Sequence, residues 1–148
     1  MPTRRAERLL SYSAEQLFDL AADVERYPKF LRWWKAARIK RRDGDVYYTD
    51  QELAFGPVRV RFGSKTSLRR PDRIDVTSYD PPFRDFKLSW TFEPLPDANR
   101  CRVRLIAKFE LHSRLLQEVV ERLLPDILPE IITAFESRAA RVYRDGTR

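Results

Sequence analysis

Few residues of this chain have the type and spacing that catalysis requires. His112 is the only histidine and Cys101 the only cysteine, so no second histidine can share a metal and no intrachain disulfide can form. Arg100 and Arg102 flank Cys101 and would lower its pKa, although a lone strand cysteine is usually structural. His112 alone supports no acid–base mechanism, and no phosphate loop, nucleophile elbow or carboxylate pair is present. We predict no catalytic residue, metal or cofactor.

Residues 24–34 combine aromatic, aliphatic and cationic side chains after an amphipathic helix. Pro28 prevents a simple continuation of that helix and disfavours helical angles at Tyr27. We predict that Tyr27, Phe30 and Trp33 gate a hydrophobic cavity. The alternative is that these rings only plug one end of a core, as buried aromatic residues commonly do.

The same segment also suits a membrane surface. Arg32, Trp33, Trp34 and Lys35 place two indoles beside two cations, and such rings can lie at headgroup level while the cations meet anionic phosphates. We therefore predict membrane contact by these four residues.

Composition indicates one globular domain over residues 1–148 in a reducing compartment. The chain is 43% hydrophobic and 34% charged, and it contains neither a signal-peptide pattern nor an apolar run of the roughly 20 residues that span a bilayer. We expect a cytoplasmic location, with peripheral contact at the inner membrane.

The net charge of +7 favours anionic partners, although charge spread along a chain is usually a solvated surface. Arg59, Arg61, Arg102 and Arg104 alternate with apolar residues and predict a basic sheet face for lipid phosphates or RNA. Most strand aromatics fall on the opposite, apolar face, which weakens the RNA interpretation.

Periodicity predicts the elements that must position these residues. Ser13 and Gln16 form a capping-box pattern at the start of the first helix. Alternating apolar residues then predict antiparallel strands with one buried face, and a stripe with helical spacing predicts a long helix from Ser113 to about Arg144. Pro125 and Pro129 should kink or break that helix. The predicted fold is α+β, with a curved antiparallel sheet of about seven strands wrapping the long C-terminal helix.

Five sequence motifs follow one another along the chain. They are Val24-Glu25-Arg26-Tyr27-Pro28-Lys29-Phe30-Leu31, Phe62-Gly63-Ser64-Lys65, Phe86-Lys87-Leu88-Ser89-Trp90-Thr91-Phe92-Glu93-Pro94, Cys101-Arg102-Val103, and Phe109-Glu110-Leu111-His112-Ser113-Arg114-Leu115-Leu116. Through these motifs the chain resembles the coenzyme Q-binding START-like family, grouped with polyketide cyclase/dehydrase domains under the helix-grip fold. The order and spacing of the motifs carry the resemblance. The chain departs from the family at two places. Arg32-Trp33-Trp34 stands where the family often has Pro-Trp-Cys, and the last helix has two prolines where about one is expected.

The resemblance implies a non-enzymatic protein that holds ubiquinone or a similar isoprenoid in an apolar tunnel. It would carry or present that ligand for respiratory electron transport or quinone biosynthesis. Two alternatives stay open, a ribosome-associated translation inhibitor of a toxin–antitoxin type and a cyclase/dehydrase-like enzyme. The predicted ligand-binding residues are Tyr27, Phe30, Trp33, Phe62, Leu88, Trp90, Phe92, Leu105, Phe109, Leu116, Val120, Leu123, Ile127, Ile131 and Phe135.

Overall fold

The computed structural model describes residues 3–97 and 99–143. Two α-helices, one short 3₁₀ segment and seven strands are found in these ranges. They are β1 (Thr3–Leu10), α1 (Ala14–Ala22), the 3₁₀ segment (Val24–Lys29), β2 (Trp34–Asp43), β3 (Val46–Phe55), β4 (Val58–Arg69), β5 (Arg73–Ser78), β6 (Phe83–Pro94), β7 (Cys101–Leu111) and α2 (Arg114–Val142).

The strands form one antiparallel sheet in the order β1-β7-β6-β5-β4-β3-β2. Strands β2 to β7 follow one another as neighbours, and β1 closes the row on β7. The register shifts within β2 and near the start of β6, where bulges bend a strand. Helix α2 contacts β1, β7 and α1. The predicted α+β helix-grip architecture is confirmed.

Local sequence signals account for the main element boundaries. Ser13 Oγ accepts the Gln16 N–H at 3.1 Å while Gln16 Oε1 accepts the Ser13 N–H at 3.0 Å, which completes the predicted capping box. Ser113 Oγ accepts the Leu116 N–H at 3.1 Å and caps α2 with this one bond. The hairpin turns at Gly44 and Gly56 have φ of 61° and 64°, values that favour glycine.

Within the described part of the chain, no helical segment is broken at the prolines inside it. The 3₁₀ segment contains both Tyr27 and Pro28, so the chain stays helical there in tighter form. Burial of the Tyr27 ring and its hydroxyl bond to the Ala21 carbonyl hold that turn in place. Helix α2 continues through Pro125 and Pro129 without a break. The predicted end near Arg144 lies outside the described residues.

Packing differs between the two halves of α2. The buried residues of this helix begin at Ile127, next to its midpoint, and continue to Ala139 in its second half. In the first half Leu116 and Val120 are partly buried, whereas Leu115 is 74% exposed and Leu123 is 36% exposed. The first half of α2 is therefore held less firmly against the sheet.

Candidate functional site

A largely apolar cavity lies between the inner face of the sheet and helix α2. Its volume is about 110 Å³. Strands β2 to β7, helices α1 and α2 and the 3₁₀ segment all contribute to its wall. The wall residues are Ala21, Val24, Tyr27, Trp34, Tyr47, Gln51, Leu53, Phe55, Val60, Phe62, Thr66, Ile74, Val76, Phe83, Phe86, Leu88, Trp90, Ala107, Phe109, Leu111, Val120, Leu124, Ile127, Leu128 and Ile131.

The described wall residues include no carboxylate, ammonium, guanidinium or imidazole group. The titratable side chains of this wall are Tyr27 and Tyr47. Burial raises the pKa of Tyr27 well above its usual value and, as the largest cause, raises the pKa of Tyr47 to about 12. Both phenols therefore stay protonated at neutral pH, and the wall as described is uncharged.

A small group of polar side chains interrupts the apolar wall where β3 and β4 run together. The Trp34 indole Nε1 donates to Gln51 Oε1 at 2.7 Å, and Gln51 Nε2 donates to Ser64 Oγ at 2.8 Å. Thr49 Oγ1 is hydrogen-bonded to Ser64 Oγ. Gln51 belongs to the wall, whereas Thr49 and Ser64 do not. These polar side chains are thus hydrogen-bonded to one another inside the protein.

An open groove of about 1050 Å³ adjoins the cavity. We call it the outer groove; it is lined by Arg32, Trp33, Lys35, Ala54, Phe55, Gly56, Arg59, Leu123, Pro125, Asp126, Ile127, Pro129, Glu130 and Thr133. Phe55 and Ile127 line both spaces. These two residues therefore border both the cavity and the groove.

Eight of the fifteen predicted ligand-binding residues lie in the cavity wall. These are Tyr27, Phe62, Leu88, Trp90, Phe109, Val120, Ile127 and Ile131. They come from the 3₁₀ segment, the sheet and helix α2, so the structure brings together the faces that the sequence indicated.

The other seven predicted residues lie elsewhere. Phe92 and Phe135 surround a void of only about 10 Å³ at the closed end of the core, and Leu105 is fully buried there. Phe30 packs on Phe135 with ring centres 5.0 Å apart.

Leu116 packs at the edge of a smaller apolar cluster beneath the first half of α2. Trp33 and Leu123 line the outer groove.

The two indoles expected at a membrane surface are turned inward. Trp33 is 8% exposed, with the Arg32 guanidinium 4.9 Å from its ring centre. Trp34 is half-buried and bonded to Gln51. The chain places Arg32 and Lys35 outward, so the cations remain available at the surface while the rings do not.

A family model described as polyketide cyclase / dehydrase and lipid transport matches residues 10–136. That match covers well over half of the chain. The chain belongs to this family.

Two curated relatives with different names align with most of the chain. The ribosome association toxin RatA of Vibrio cholerae is 28% identical over 135 residues, which are 91% of this chain and 93% of the relative. The mitochondrial coenzyme Q-binding protein COQ10 homolog B of Xenopus laevis is 26% identical over 141 residues, which are 92% of this chain and 57% of the relative.

Several solved structures have the same fold as this chain. A Thermus thermophilus protein superposes with a TM-score of 0.84 at 23% identity, over 95% of this chain and 99% of the other. A START superfamily protein from Mycobacterium smegmatis gives 0.83 at 16% identity, over 95% and 98%. The ZhuI aromatase/cyclase of a Streptomyces species gives 0.78 at 16% identity, over 99% of both chains. These likenesses establish the START-like fold.

The surroundings of Cys101 do not favour a reactive thiolate. Cys101 is fully buried, and burial raises the pKa of its thiol to about 11, which is opposite to the lowering expected from its arginine neighbours.

Within residues 3–97 and 99–143, no group of three His, Cys, Asp or Glu side chains is placed to hold a metal. No helix in the described part of the chain is long and apolar enough to cross a membrane.

The predicted basic face is divided into two separate groups. Arg59 and Arg61 both pair with Glu52, at 2.8 and 3.5 Å. Arg102 and Arg104 on β7 both pair with Glu7, at 2.6 and 3.3 Å. Strands β5 and β6 lie between β4 and β7 in the sheet, so these arginines do not form one continuous patch.

Sequence reasoning missed the polar part of the wall, chiefly Tyr47, Gln51 and Thr66. A signal was present, because alternation places Thr49 and Gln51 on the same face of β3 as Tyr47, and Ser64 and Thr66 on the same face of β4 as Phe62. Polar residues at consecutive inward positions of two paired strands are unusual in an apolar core. They indicate a hydrogen-bonded feature within that core.

Proposed function

We propose that this protein binds an uncharged, mostly apolar ligand of the ubiquinone or isoprenoid type in the cavity and carries or presents it without covalent chemistry. The observation that supports this most is the wall itself, which is apolar and, over the described residues, uncharged. Such pockets favour apolar molecules with a few polar groups to fix orientation. The similarity to a protein named as coenzyme Q-binding agrees with this ligand class.

The size of the cavity requires an opening step. About 110 Å³ is less than the roughly 150 Å³ cavity that holds benzene. A quinone ring with a prenyl tail therefore needs the first half of α2 to move away from the sheet. That half is the less buried one, and the outer groove beyond Phe55 and Ile127 offers room for a tail. Each CH₂ removed from water contributes about 0.8 kcal/mol.

The first experiment asks whether the protein holds a lipid at all. Purified protein is extracted with organic solvent and the extract is analysed by mass spectrometry. Binding of a short-tailed ubiquinone is then followed through tryptophan fluorescence, since Trp34 and Trp90 lie in the wall. We expect a bound isoprenoid and saturable quenching; an empty extract together with no quenching would overturn the proposal.

Matched tryptophan substitutions locate the binding site. Val120→Trp or Ile131→Trp should fill the cavity and abolish ubiquinone binding in a folded protein. Leu115→Trp is the control, because this residue lies on the same helix with its side chain in solvent. Normal binding by both cavity variants would place the ligand elsewhere, and loss of about 1–3 kcal/mol of stability indicates overpacking.

A second candidate function is ribosome association. The observation that favours it is the edge strand β2, whose exposed side chains include Lys35, Arg38, Arg41 and Arg42. Ribosomal RNA is a polyanion, and a relative of similar length is named as a ribosome association toxin. Sedimentation with ribosomal particles, reduced by Arg38→Glu with Arg41→Glu, would support this function. Absence of the protein from every ribosomal fraction at low salt would exclude it.

A further inference from the structure

The polar side chains of the cavity lie on the two paired strands β3 and β4 and on the start of β2. Tyr47 pairs with Thr66, and Thr49 pairs with Ser64, across the β3–β4 ladder. Thr49, Gln51, Ser64 and Thr66 are all buried. Burial of a polar group is costly unless that group is hydrogen-bonded. The bonding of each atom therefore determines what the wall can offer a ligand.

Chemistry fixes the orientation of the Gln51 amide. An indole N–H is a donor only, so the Gln51 atom 2.7 Å from Trp34 Nε1 must be the carbonyl oxygen Oε1. The amide nitrogen then donates to Ser64 Oγ at 2.8 Å and to Thr49 Oγ1 at 3.3 Å. Both amide hydrogens are used, whereas Oε1 keeps one free lone pair.

The hydroxyl of Tyr47 has the same outcome. Tyr47 Oη donates to the Ala22 carbonyl at 2.8 Å. Its single hydrogen is therefore engaged, whereas the phenol oxygen keeps acceptor capacity.

We infer that this polar set, defined as Trp34, Tyr47 and Gln51, accepts a hydrogen bond from a hydroxyl group of the bound ligand. The ligand class is an isoprenoid or aromatic molecule with an uncharged phenol, quinol or alcohol head. Trp90 brings a further indole N–H to the wall, but from β6, three strands away from β3.

A ligand whose head has only carbonyl or ether oxygens meets acceptors at the polar set and gains no hydrogen bond there. The reduced, hydroxyl-bearing form of a quinone should therefore be held more tightly than the oxidised form. This inference rests on the proposed function and adds to it the chemistry of the ligand head.

The test compares two probes that differ by one donor. A geranyl-substituted phenol and its methyl ether are titrated into the purified full-length chain, and tryptophan fluorescence and calorimetry report the dissociation constants. We expect the phenol to bind about tenfold more tightly, as one net hydrogen bond contributes. The methyl ether avoids the reoxidation that complicates a comparison of quinol with quinone.

Variants assign the preference to the polar set. Gln51→Met and Tyr47→Phe should each reduce the tenfold preference to about twofold or less, since one acceptor is lost. Leu88→Met is the control, because it changes a wall side chain without a hydrogen-bonding role and should keep the tenfold preference. If Gln51→Met does not fold, Tyr47→Phe and the wild-type comparison still decide the matter.

The possible failures are distinguishable. Equal binding of the two probes, or tighter binding of the ether, overturns the hydroxyl preference and leaves the lipid cavity intact. A preference that survives in both polar variants places the acceptor elsewhere and also overturns the inference. No binding of either probe, or of a short-tailed ubiquinone, overturns the proposed function and the inference together.

Discussion

Single residues of this chain show how strongly a position depends on its immediate neighbour. The Gly63 N–H donates to Asp80 Oδ2 at 2.8 Å, and a Cβ at position 63 would lie 2.5 Å from that oxygen. The Ser78 hydroxyl donates to the Gly63 carbonyl at 2.6 Å. A side chain at position 63 would therefore displace the Asp80 carboxylate.

Gly63→Ala should lower the free energy of unfolding by about 1 kcal/mol, because the Asp80 carboxylate must move and its hydrogen bond is lost. Denaturant unfolding of Gly63→Ala, Asp80→Ala and the double variant measures this. We expect the double variant to be less destabilised than the sum of the two single variants. Additive effects would show that Asp80 is not the cause.

Cys101 tests whether burial or the neighbouring positive charges control the pKa of its thiol. Its pKa is raised to about 11 mainly by desolvation, so its thiolate is scarce at pH 8 in the folded protein. A disulfide reagent should label it slowly at pH 8 and much faster after unfolding in denaturant. Fast labelling of the folded protein would mean that Arg100 and Arg102 dominate.

The same shift predicts a pH dependence of stability. A thiol with a pKa near 8.5 when unfolded and about 11 when folded favours the folded state fully below pH 8.5. This contribution is lost as pH rises towards and through 11. Stability should therefore fall less between pH 8.5 and 11 in Cys101→Ala than in wild type, as measured by urea unfolding at several pH values. Parallel curves would contradict the assignment.

At the scale of elements, the two halves of α2 have different roles. The second half is anchored by buried residues such as Ile132 and Phe135, whereas the first half covers the cavity with partly buried ones. Pro125 and Pro129 lie at the junction and cannot donate to the carbonyls one turn before them. The prolines therefore weaken α2 at the place where the proposed function requires it to move.

Pro125→Ala with Pro129→Ala should stabilise α2 and slow ligand uptake, because the missing helical hydrogen bonds are restored. Stopped-flow fluorescence with a short-tailed ubiquinone measures the rate, and thermal unfolding measures the stability. Pro96→Ala, in the loop after β6, is the control and should leave both unchanged. An unchanged uptake rate in a stabilised double variant would show that α2 is not the moving element.

At the scale of the whole molecule, charge and cavity meet at the outer groove. Arg32, Lys35 and Arg59 lie on one side of the groove, facing Asp126 and Glu130 of α2. Arg32 is paired with Glu130 at 3.2 Å, and Arg59 is paired with Glu52. With the two indoles turned inward, any attraction to an anionic membrane would come from cations such as Lys35 and from the net charge of +7.

Binding to vesicles should increase with their phosphatidylglycerol content and decrease with salt, since surface charge is screened over about 8–10 Å at moderate ionic strength. Arg32→Glu with Lys35→Glu should weaken co-sedimentation more than the control Arg100→Glu with Arg114→Glu, which makes the same charge change at other exposed sites. Equal loss in both pairs would indicate a general charge effect, and equal binding to neutral vesicles would remove the electrostatic contribution.

The order of the elements was predictable from the sequence because their signals are local. Alternation along Phe86, Leu88, Trp90 and Phe92 requires a strand with one buried face, and the strand is present. The capping box at Ser13 fixes the start of α1 through bonds that span three residues. Such patterns depend on the backbone period and need no knowledge of distant partners.

The tertiary structure alone decided which inward residues meet the cavity. Trp90 and Phe92 share one face of β6 and both border the small closed void, yet of these two only Trp90 also reaches the cavity wall. The orientation of the Gln51 amide depends on a hydrogen bond from the indole of Trp34, 17 positions away. Strand register and helix docking set these distances, and both come from packing of the whole chain rather than from any local pattern.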